Sequence, residues 1–244
     1  MKIGIIAAMS IERTRVVDVL SSRKEVECGR YRLDVGAIGG AEVAVMESGI
    51  GKVNAAIGAY ALASGFKPDC IISTGVAGGL DARLSVMDVA AATETLYHDV
   101  DCGPGNEPGQ VQGLPPRFKC DERLVKAALG LDVGVNIVGG VMASGDKFVS
   151  RAEDVAAIKN GFPDAIAVDM ETCAIAQVCH ILGVPFASFR IISDVPGKST
   201  HYDEYADFWA TMADKSFQVT RSFLERICQL PESVTFGRFL NCCK

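Results

Sequence analysis

The chain has 244 residues, of which 49% are hydrophobic and 22% are charged, and its formal net charge is −6. A chain of this length buries one sizeable core, and no Pro/Ser-rich linker or change in composition marks a second domain. The acidic balance argues against a nucleic-acid surface, which requires clustered Lys and Arg. We therefore expect one domain, residues 1–230, a short tail, residues 231–244, and a small-molecule ligand.

The cysteines and the apolar segments give no sign of secretion or membrane insertion. The nine cysteines are scattered, without a CxxC motif or a Cys/His spacing typical of a metal site, which predicts reduced thiols in a cytoplasmic protein. The opening run MKIGIIAAM is short and is soon followed by acidic Glu12, which argues against a signal peptide. The sequence contains no run close to the roughly 18–20 apolar residues that a membrane helix needs.

Short apolar runs alternate with segments of helical periodicity, a pattern typical of an α/β sheet covered on both faces. The predicted elements of the first half are, in chain order, strand Lys2–Ala8, a helix over Ile11–Leu20 with Ser10 as its N-cap, strands Tyr31–Gly36 and Ala41–Glu47, helix Lys52–Ala63, and strands Asp69–Thr74 and Val86–Leu96. After a Gly/Pro-rich loop, Cys102–Pro116, the predicted elements are helix Asp121–Leu129, strand Asn136–Ala143, helix Arg151–Asn160, strand Ala165–Val168, helix Glu171–Leu182, strand Phe186–Ile192 and a long helix, Asp203–Cys228. This order predicts a single-domain α/β fold with one mixed sheet.

Acidic residues follow several predicted strands, at the ends where α/β sheets bind ligands. Glu12 follows the first strand, Glu171 follows Ala165–Val168, and Ser193 and Asp194 follow the last strand. Acids that meet in one cleft suit the protonation of a leaving group and the stabilisation of developing positive charge.

Two glycine-rich segments also follow strands. Ser48–Lys52 and Gly75–Gly79 match neither of the common phosphate-binding patterns, so we expect tight backbone turns near a ligand instead. Taken singly, each candidate also has a structural interpretation. Glu12 suits the first turn of a helix, Asp194 suits a cap, and aromatic residues such as Phe148 are more often part of a core.

Taken together, the motifs resemble one family. The runs MKIGIIAAM with Glu12, SGIGKVNAA, STGVAGGL, YHDVD, SGDKFV, AVDMETCAIAQVCH and RIISDV are similar, in order and spacing, to those of the methylthioadenosine/S-adenosylhomocysteine nucleosidases, up to about residue 225. The resemblance implies a nucleoside phosphorylase-like α/β sandwich, a homodimer, a place in methionine salvage, and no metal or organic cofactor. It also implies hydrolysis of the N-glycosidic bond of methylthioadenosine, S-adenosylhomocysteine and 5′-deoxyadenosine.

The resemblance further implies roles for individual residues. Asp194 would protonate adenine N7, Glu12 would polarise the attacking water, and Glu171 would hold the ribose hydroxyls. The substrate-binding residues that it implies are Met9, Ile50, Phe148, Val149, Met170, Arg190, Ser193 and Tyr205.

Three departures from the family pattern bear on the substrate. Val76 stands where many members have a Ser near the ribose, and Asp169 replaces a Glu that helps to frame the ribose site. The loop Cys102–Gln112 lacks the aromatic residues that family loops donate across the dimer to the 5′ substituent. We expect the reaction to be kept and the preference for a thioether substituent to be weaker.

Two other functions compete with hydrolysis. A nucleoside phosphorylase on the same fold would need Arg side chains or helix N-terminal donors for phosphate, and Gly75–Gly79 carries no Arg. A catalytically inactive nucleoside-binding module would not need three carboxylates. The retention of Glu12, Glu171 and Asp194 therefore favours an enzyme.

Overall fold

The computed structural model describes residues 1–198 and 200–230, which fold around a 10-stranded mixed sheet. The strands are β1 (Lys2–Ala7), β2 (Ser21–Cys28), β3 (Tyr31–Ile38), β4 (Ala41–Glu47), β5 (Cys70–Gly79), β6 (Val89–Tyr97), β7 (Phe118–Lys119), β8 (Ile137–Ser144), β9 (Ala165–Asp169) and β10 (Phe186–Asp194). The helices are α1 (Ser10–Val17), α2 (Lys52–Gly65), α3 (Glu122–Leu129), α4 (Ala152–Gly161), α5 (Thr172–Leu182), α6 (His201–Asp207) and α7 (Ala213–Cys228), with a π-helical turn, Phe208–Met212, between the last two. The predicted single-domain α/β fold with a mixed sheet is confirmed.

The sheet closes on itself at one side. Its strand order is β10-β6-β8-β9-β5-β1-β4-β3-β2, with β7 beside β6, and β10 also pairs with β5. Because β10 pairs with β6 on one edge and with β5 on the other, strands β5, β10, β6, β8 and β9 form a closed ring. The strands β1, β4, β3 and β2 extend from this ring as an open sheet.

The two largest apolar cores lie on the two faces of the sheet, and a third, smaller cluster includes Ile158 and Phe162. Strand alternation places Ile3 and Ile5 of β1 in one core and Ile6 in the other. Helices α1, α3 and α7 cover the core of Ile3 and Ile5, whereas α2 and α5 pack against each other over the core of Ile6. The ends of the strands are left free to carry polar side chains.

Strand β5 changes its neighbour along one edge. Residues 70–73 pair with β1, and Gly78 and Gly79 pair with β9, so the edge is open between these two stretches. The other edge of β5 pairs with β10 as far as Gly78, which is why the strand continues where we predicted a tight turn over Gly75–Gly79. That prediction was wrong, but the glycines still have a spatial role. A Cβ on Gly75 would collide with Glu12 Oε1.

Other predictions differ from the structure for identifiable reasons. The sequence SSRKEVEC of β2 is mostly exposed and has no apolar alternation, so its pairing with β3 could not be predicted. The predicted long helix Asp203–Cys228 is interrupted by the π-helical turn. Ser10 is not the N-cap of α1, because the helix begins at Ser10 and the cap position falls on Met9. The Gly/Pro-rich loop Cys102–Pro116 contains neither helix nor strand, as predicted.

The predicted C-terminal tail, with Cys242 and Cys243, lies outside the described residues, and the domain boundary at residue 230 stays a prediction. The free cysteines of the described part are Cys28, Cys70, Cys102, Cys120, Cys173, Cys179 and Cys228. None of the helices within residues 1–198 and 200–230 is both long enough and apolar enough to cross a membrane.

Candidate active site

A cavity of about 110 Å³ lies at the ends of strands β1, β5, β9 and β10. It is lined by every residue for which the sequence predicts a role in catalysis or binding. These residues are Glu12, Glu171, Asp194, Met9, Ile50, Phe148, Val149, Met170, Arg190, Ser193 and Tyr205. Gly78 of β5 shows how distant segments meet here, because it stands opposite Asp194 of β10 on one side and Val168 of β9 on the other.

Glu12 is buried in the first turn of α1 and is held by main-chain donors. The N–H groups of Ala8 and Met9 each donate to its Oε2 at 3.0 Å, and the N–H of Val76 donates to Oε1 at 3.1 Å. Val76 lies in the open stretch of the β5 edge, so its N–H has no strand partner there. Burial raises the pKa of Glu12, opposed by the nearby Arg190 guanidinium and by these donors.

Arg190 is the buried cation at the centre of the site. Its neighbours Phe189 and Ile191 point into the core on one face, so alternation directs Arg190 to the other face. Its Nε lies 3.0 Å from Asp169 Oδ2, and its Nη1 lies 3.5 Å from Glu171 Oε2. The same guanidinium donates from Nη1 to the carbonyl of Val76 at 3.2 Å, from Nη2 to Ser73 Oγ at 3.0 Å and from Nε to Thr172 Oγ1 at 3.2 Å. Each of its three nitrogens therefore has an acceptor within the protein.

Glu171 immediately precedes α5, and its carboxylate reaches across to the start of α2. The N–H of Gly51 donates to Glu171 Oε1 at 2.9 Å. Burial raises the pKa of Glu171 to about 7; Arg190 opposes this rise and Asp169 adds to it. A carboxyl group that titrates near neutral pH inside a cavity is typical of a functional site.

Asp194 ends β10 and lies apart from the cluster around Arg190. It is buried, and its Oδ1 accepts a hydrogen bond from the Ser193 hydroxyl at 2.7 Å. Burial raises the pKa of Asp194, while Ser193 and His201 oppose the rise. The raised pKa favours a protonated carboxyl group, the form that a general acid requires.

Aromatic side chains form one wall of the cavity. The rings of Phe148 and Tyr205 meet edge to face with centroids 5.5 Å apart, and Tyr205 meets Trp209 in the same way at 6.2 Å. Phe148 is 46% exposed, whereas Val149 beside it is buried. Phe148 therefore brings a partly exposed aromatic ring to the wall of the cavity.

Some residues of the site were not predicted. His201 Nδ1 lies 3.8 Å from Asp194 Oδ2, and the spacing of histidines in the sequence gave no signal for this approach. The lining residues outside the predicted set are Ala8, Val76, Ala77, Gly78, Lys147, Val168 and Asp169. All of these belong to the motifs quoted above, so the motifs themselves were the available signal.

The departures Val76 and Asp169 have definite places in the structure. Val76 supports Glu12 through its main-chain N–H, which does not depend on the side chain at this position. The carboxylate of Asp169 is taken up by the hydroxyls of Ser144 and Thr172 and by Arg190. Asp169 therefore anchors the guanidinium.

The charges of the site suit the breaking of a bond between a sugar and a base. The cavity is lined by the acid Asp194 and by the carboxyl groups of Glu12 and Glu171 near the Arg190 guanidinium. In the described residues there is no group of three or more His, Cys, Asp or Glu side chains placed to hold a metal ion.

Comparison with known proteins identifies the family of the chain. A model of the phosphorylase superfamily matches residues 2–225. The methylthioadenosine/S-adenosylhomocysteine nucleosidase of Neisseria meningitidis, solved with methylthio-immucillin-A, is 36% identical, with a TM-score of 0.85 over 92% of this chain and 98% of that one. The enzyme of Colwellia psychrerythraea, solved with adenine, is 37% identical, with a TM-score of 0.86 over 93% and 95%. The S-adenosylhomocysteine nucleosidase of Streptococcus pyogenes, solved with 5-methylthiotubericidin, is 34% identical, with a TM-score of 0.87 over 95% and 98%.

The chain belongs to the methylthioadenosine/S-adenosylhomocysteine nucleosidase family. The family, the enzyme class and the nucleoside phosphorylase-like fold predicted from the motifs are thereby confirmed. The roles of individual nucleosidase residues, the domain boundary and the homodimer stay predictions.

Proposed function

We propose that this nucleosidase hydrolyses the N-glycosidic bond of methylthioadenosine and S-adenosylhomocysteine, and also that of 5′-deoxyadenosine. The products are adenine and the 5-substituted ribose. The observation that carries the proposal is that a buried acid, Asp194, lines the same cavity as the buried carboxyl groups of Glu12 and Glu171 near Arg190. An oxocarbenium-like sugar and a departing base need these two kinds of group at the two ends of one bond.

At the base, Asp194 gives its proton to adenine N7. The bond between C1′ and N9 then breaks, and its electron pair goes to N9, so adenine leaves as a neutral molecule. Phe148 stacks on the ring, and the main chain of the buried Val149 binds its edge. Ser193 holds the Asp194 carboxyl group through Oδ1 during this step. Positioned acids of this kind contribute about 10²–10⁴ in rate.

At the sugar, Glu171 and the main chain of Met170 hold the ribose hydroxyls while Glu171 steadies the positive charge. Glu12 orients a water molecule, whose oxygen bonds to C1′ and whose proton passes to Glu12. Three main-chain N–H groups fix the Glu12 carboxylate for this task, and Arg190 lies close enough to influence its pKa. Met9, Ile50 and Tyr205 line the region of the ribose and the 5′ substituent.

Phosphorolysis is the weaker alternative because the cations of the site are already engaged. Arg190 faces Asp169, Glu171, Ser73 and the Val76 carbonyl. Lys147 at the cavity pairs with Asp154 at 2.6 Å. A phosphate dianion would meet carboxylates without a free guanidinium to bind it.

An exposed apolar stripe on α2 supports the homodimer as part of the proposal. Val53, Ile57 and Tyr60 recur at helical spacing on α2 and are all exposed, as is Ile50 just before the helix. The loop Cys102–Pro116 adds no support for a dimer, because several of its N–H groups bond within the same chain, as that of Gly109 does to the Val100 carbonyl. We also propose that the enzyme acts in the cytoplasm, in methionine salvage.

The test is to incubate the purified protein with methylthioadenosine, with and without phosphate, and to identify the sugar product. We expect adenine and methylthioribose in both cases at equal rates. Release that requires phosphate and yields methylthioribose 1-phosphate would establish a phosphorylase instead. Tight binding of the nucleoside without any release of adenine would establish a binding module.

A further inference from the structure

Three charged residues from the family-like motifs have no part in the mechanism above. Lys52 comes from SGIGKVNAA, Asp99 from YHDVD and Asp146 from SGDKFV. The structure brings them together, and none of these three described side chains lines the cavity. Lys52 Nζ donates to both carboxylate oxygens of Asp99 at 2.8 Å, and it lies 4.0 Å from Asp146 Oδ2.

Main-chain hydrogen bonds tie this Lys52–Asp99–Asp146 cluster to the start of α2. The N–H of Lys52 donates to Asp146 Oδ1 at 2.7 Å, and the N–H of Asp146 donates to Asp99 Oδ2 at 2.8 Å. The N–H of the preceding residue, Gly51, donates to Glu171. Consecutive N–H groups at the start of α2 therefore bond to two carboxylates, one inside the cavity and one outside it.

The segment that carries these donors needs external support. Gly51 has φ +93°, a conformation that glycine adopts freely and also leaves easily. A Cβ at Gly51 would lie 3.0 Å from Asp146 Oδ1, so the cluster packs closely against this segment. Asp146 is also two residues before Phe148, which lines the cavity, so the cluster adjoins the segment of Phe148 as well as that of Gly51.

We infer that Lys52, Asp99 and Asp146 are positioning residues, which hold the Gly51 N–H against Glu171 and fix the segment of Phe148 relative to it. The inference rests on the proposed function, in which Glu171 holds the ribose. A simple surface ion pair would contribute only about 0–1 kcal/mol. This cluster differs because Lys52 and Asp99 are mostly shielded and because main-chain groups share the same carboxylates.

The pKa of Asp99 agrees with a well-formed cluster. Burial acts to raise it, but hydrogen bonds from Lys52 and from the Asp146 N–H outweigh burial and lower it. Asp99 is therefore held as a carboxylate, and its ion pair with Lys52 persists across the neutral range.

The experiment compares Lys52→Met, Asp99→Asn and the double variant with the wild type on methylthioadenosine. Each single change should lower kcat by about 10–100-fold and change KM by less than about threefold. The reason is that misplacement of Glu171 reduces stabilisation of the transition state more than binding of the substrate. The double variant should be no worse than the poorer single variant. Because the Gly51 N–H lowers the pKa of Glu171, its displacement should move the acidic limb of the kcat profile to higher pH.

Lys52→Arg, which keeps the charge, should recover activity to within about threefold of the wild type. The matched control is Arg117→Met, which breaks the Arg117–Asp164 ion pair of equal sequence separation, away from the cavity. This control should leave kcat unchanged.

Hydrogen exchange provides a second measurement that does not depend on turnover. Residues 49–53 and 146–149 should exchange faster in Lys52→Met and Asp99→Asn, but not in Arg117→Met. Unchanged exchange, or a kcat of Lys52→Met within twofold of the wild type, would overturn the inference. If the wild type itself releases no adenine, the proposed function fails, and the exchange measurement alone decides whether the cluster positions Gly51.

Discussion

Asp169 and Arg190 form an ion pair in the centre of the site, with 2% of each side chain exposed and 3.0 Å between Oδ2 and Nε. Asp169 also accepts hydrogen bonds from the hydroxyls of Ser144 and Thr172, and Arg190 donates to Ser73 Oγ at 3.0 Å. Two buried charges are tolerated only when their remaining donors and acceptors are satisfied, and this network satisfies them.

We predict that Asp169→Asn lowers the free energy of unfolding by about 3 kcal/mol, because it leaves the buried guanidinium without its main counter-charge. Urea denaturation measures the change. The matched control is Glu225→Gln, which removes an exposed partner of Arg221 and should cost less than about 1 kcal/mol. Equal effects of the two substitutions would contradict the anchoring role of Asp169.

The catalytic roles predict large losses of activity from small changes. Asp194→Asn, Glu171→Gln and Glu12→Gln should each reduce adenine release by at least about 10²-fold while the circular dichroism spectrum is unchanged. Glu42→Gln, which alters an exposed carboxylate of β4, should retain full activity. A variant of Asp194 or Glu171 with more than a tenth of the wild-type rate would remove that residue from the mechanism.

The pKa of Glu171 predicts how stability depends on pH. Burial raises this pKa from 4.5 to about 7, so between these values the folded chain binds a proton that the unfolded chain has lost. The contribution of Glu171 to stability is therefore fully present below about pH 4.5 and is lost as the pH rises to about 7, by up to about 3 kcal/mol. The stability of Glu171→Gln relative to the wild type should therefore increase as the pH rises from 5 to 8. Urea denaturation of both proteins at the two pH values measures this change. If the stability difference between Glu171→Gln and the wild type stayed constant with pH, the pKa of Glu171 would not be raised in the folded chain.

The loop Cys102–Gln112 predicts modest selectivity for the 5′ substituent. It carries few large apolar side chains, and one buried methyl-sized contact contributes only about 1 kcal/mol. We expect methylthioadenosine to be preferred over 5′-deoxyadenosine by no more than about 200-fold, and S-adenosylhomocysteine to be accepted. Values of kcat/KM for the three nucleosides test this. A preference above about 10³-fold would mean that another group closes the pocket.

The exposed stripe on α2 predicts the surface of a dimer. Val53→Glu and Ile57→Glu should each convert a dimer into a monomer in sedimentation, because a charge would be buried without a partner. Leu129→Glu on α3 is the control, since this exposed position lies on a helix that covers the other face of the sheet. A wild-type chain that sediments as a stable, fully active monomer would contradict dimerisation.

The sequence by itself determined those elements whose apolar residues form a recognisable local pattern. Strand β1, the first half of β5 and most of β10 are rich in apolar residues, and this composition predicts their burial. The motifs also identified the acids at the strand ends, Glu12, Glu171 and Asp194, together with the family. Strand β2 was missed because its residues are polar and exposed, and only pairing with β3 makes it a strand.

The tertiary structure decided which of these residues act on each other. Val76 supports Glu12 only because β5 is unpaired on one edge between β1 and β9, and this gap depends on the register of three strands. The approach of His201 to Asp194 depends on where α6 packs. The ion pair of Lys52 with Asp99 depends on the packing of two segments that are 47 residues apart in the sequence. Hydrogen bonds act over about 3 Å, so distances along the chain do not predict them, whereas apolar periodicity repeats within a single element.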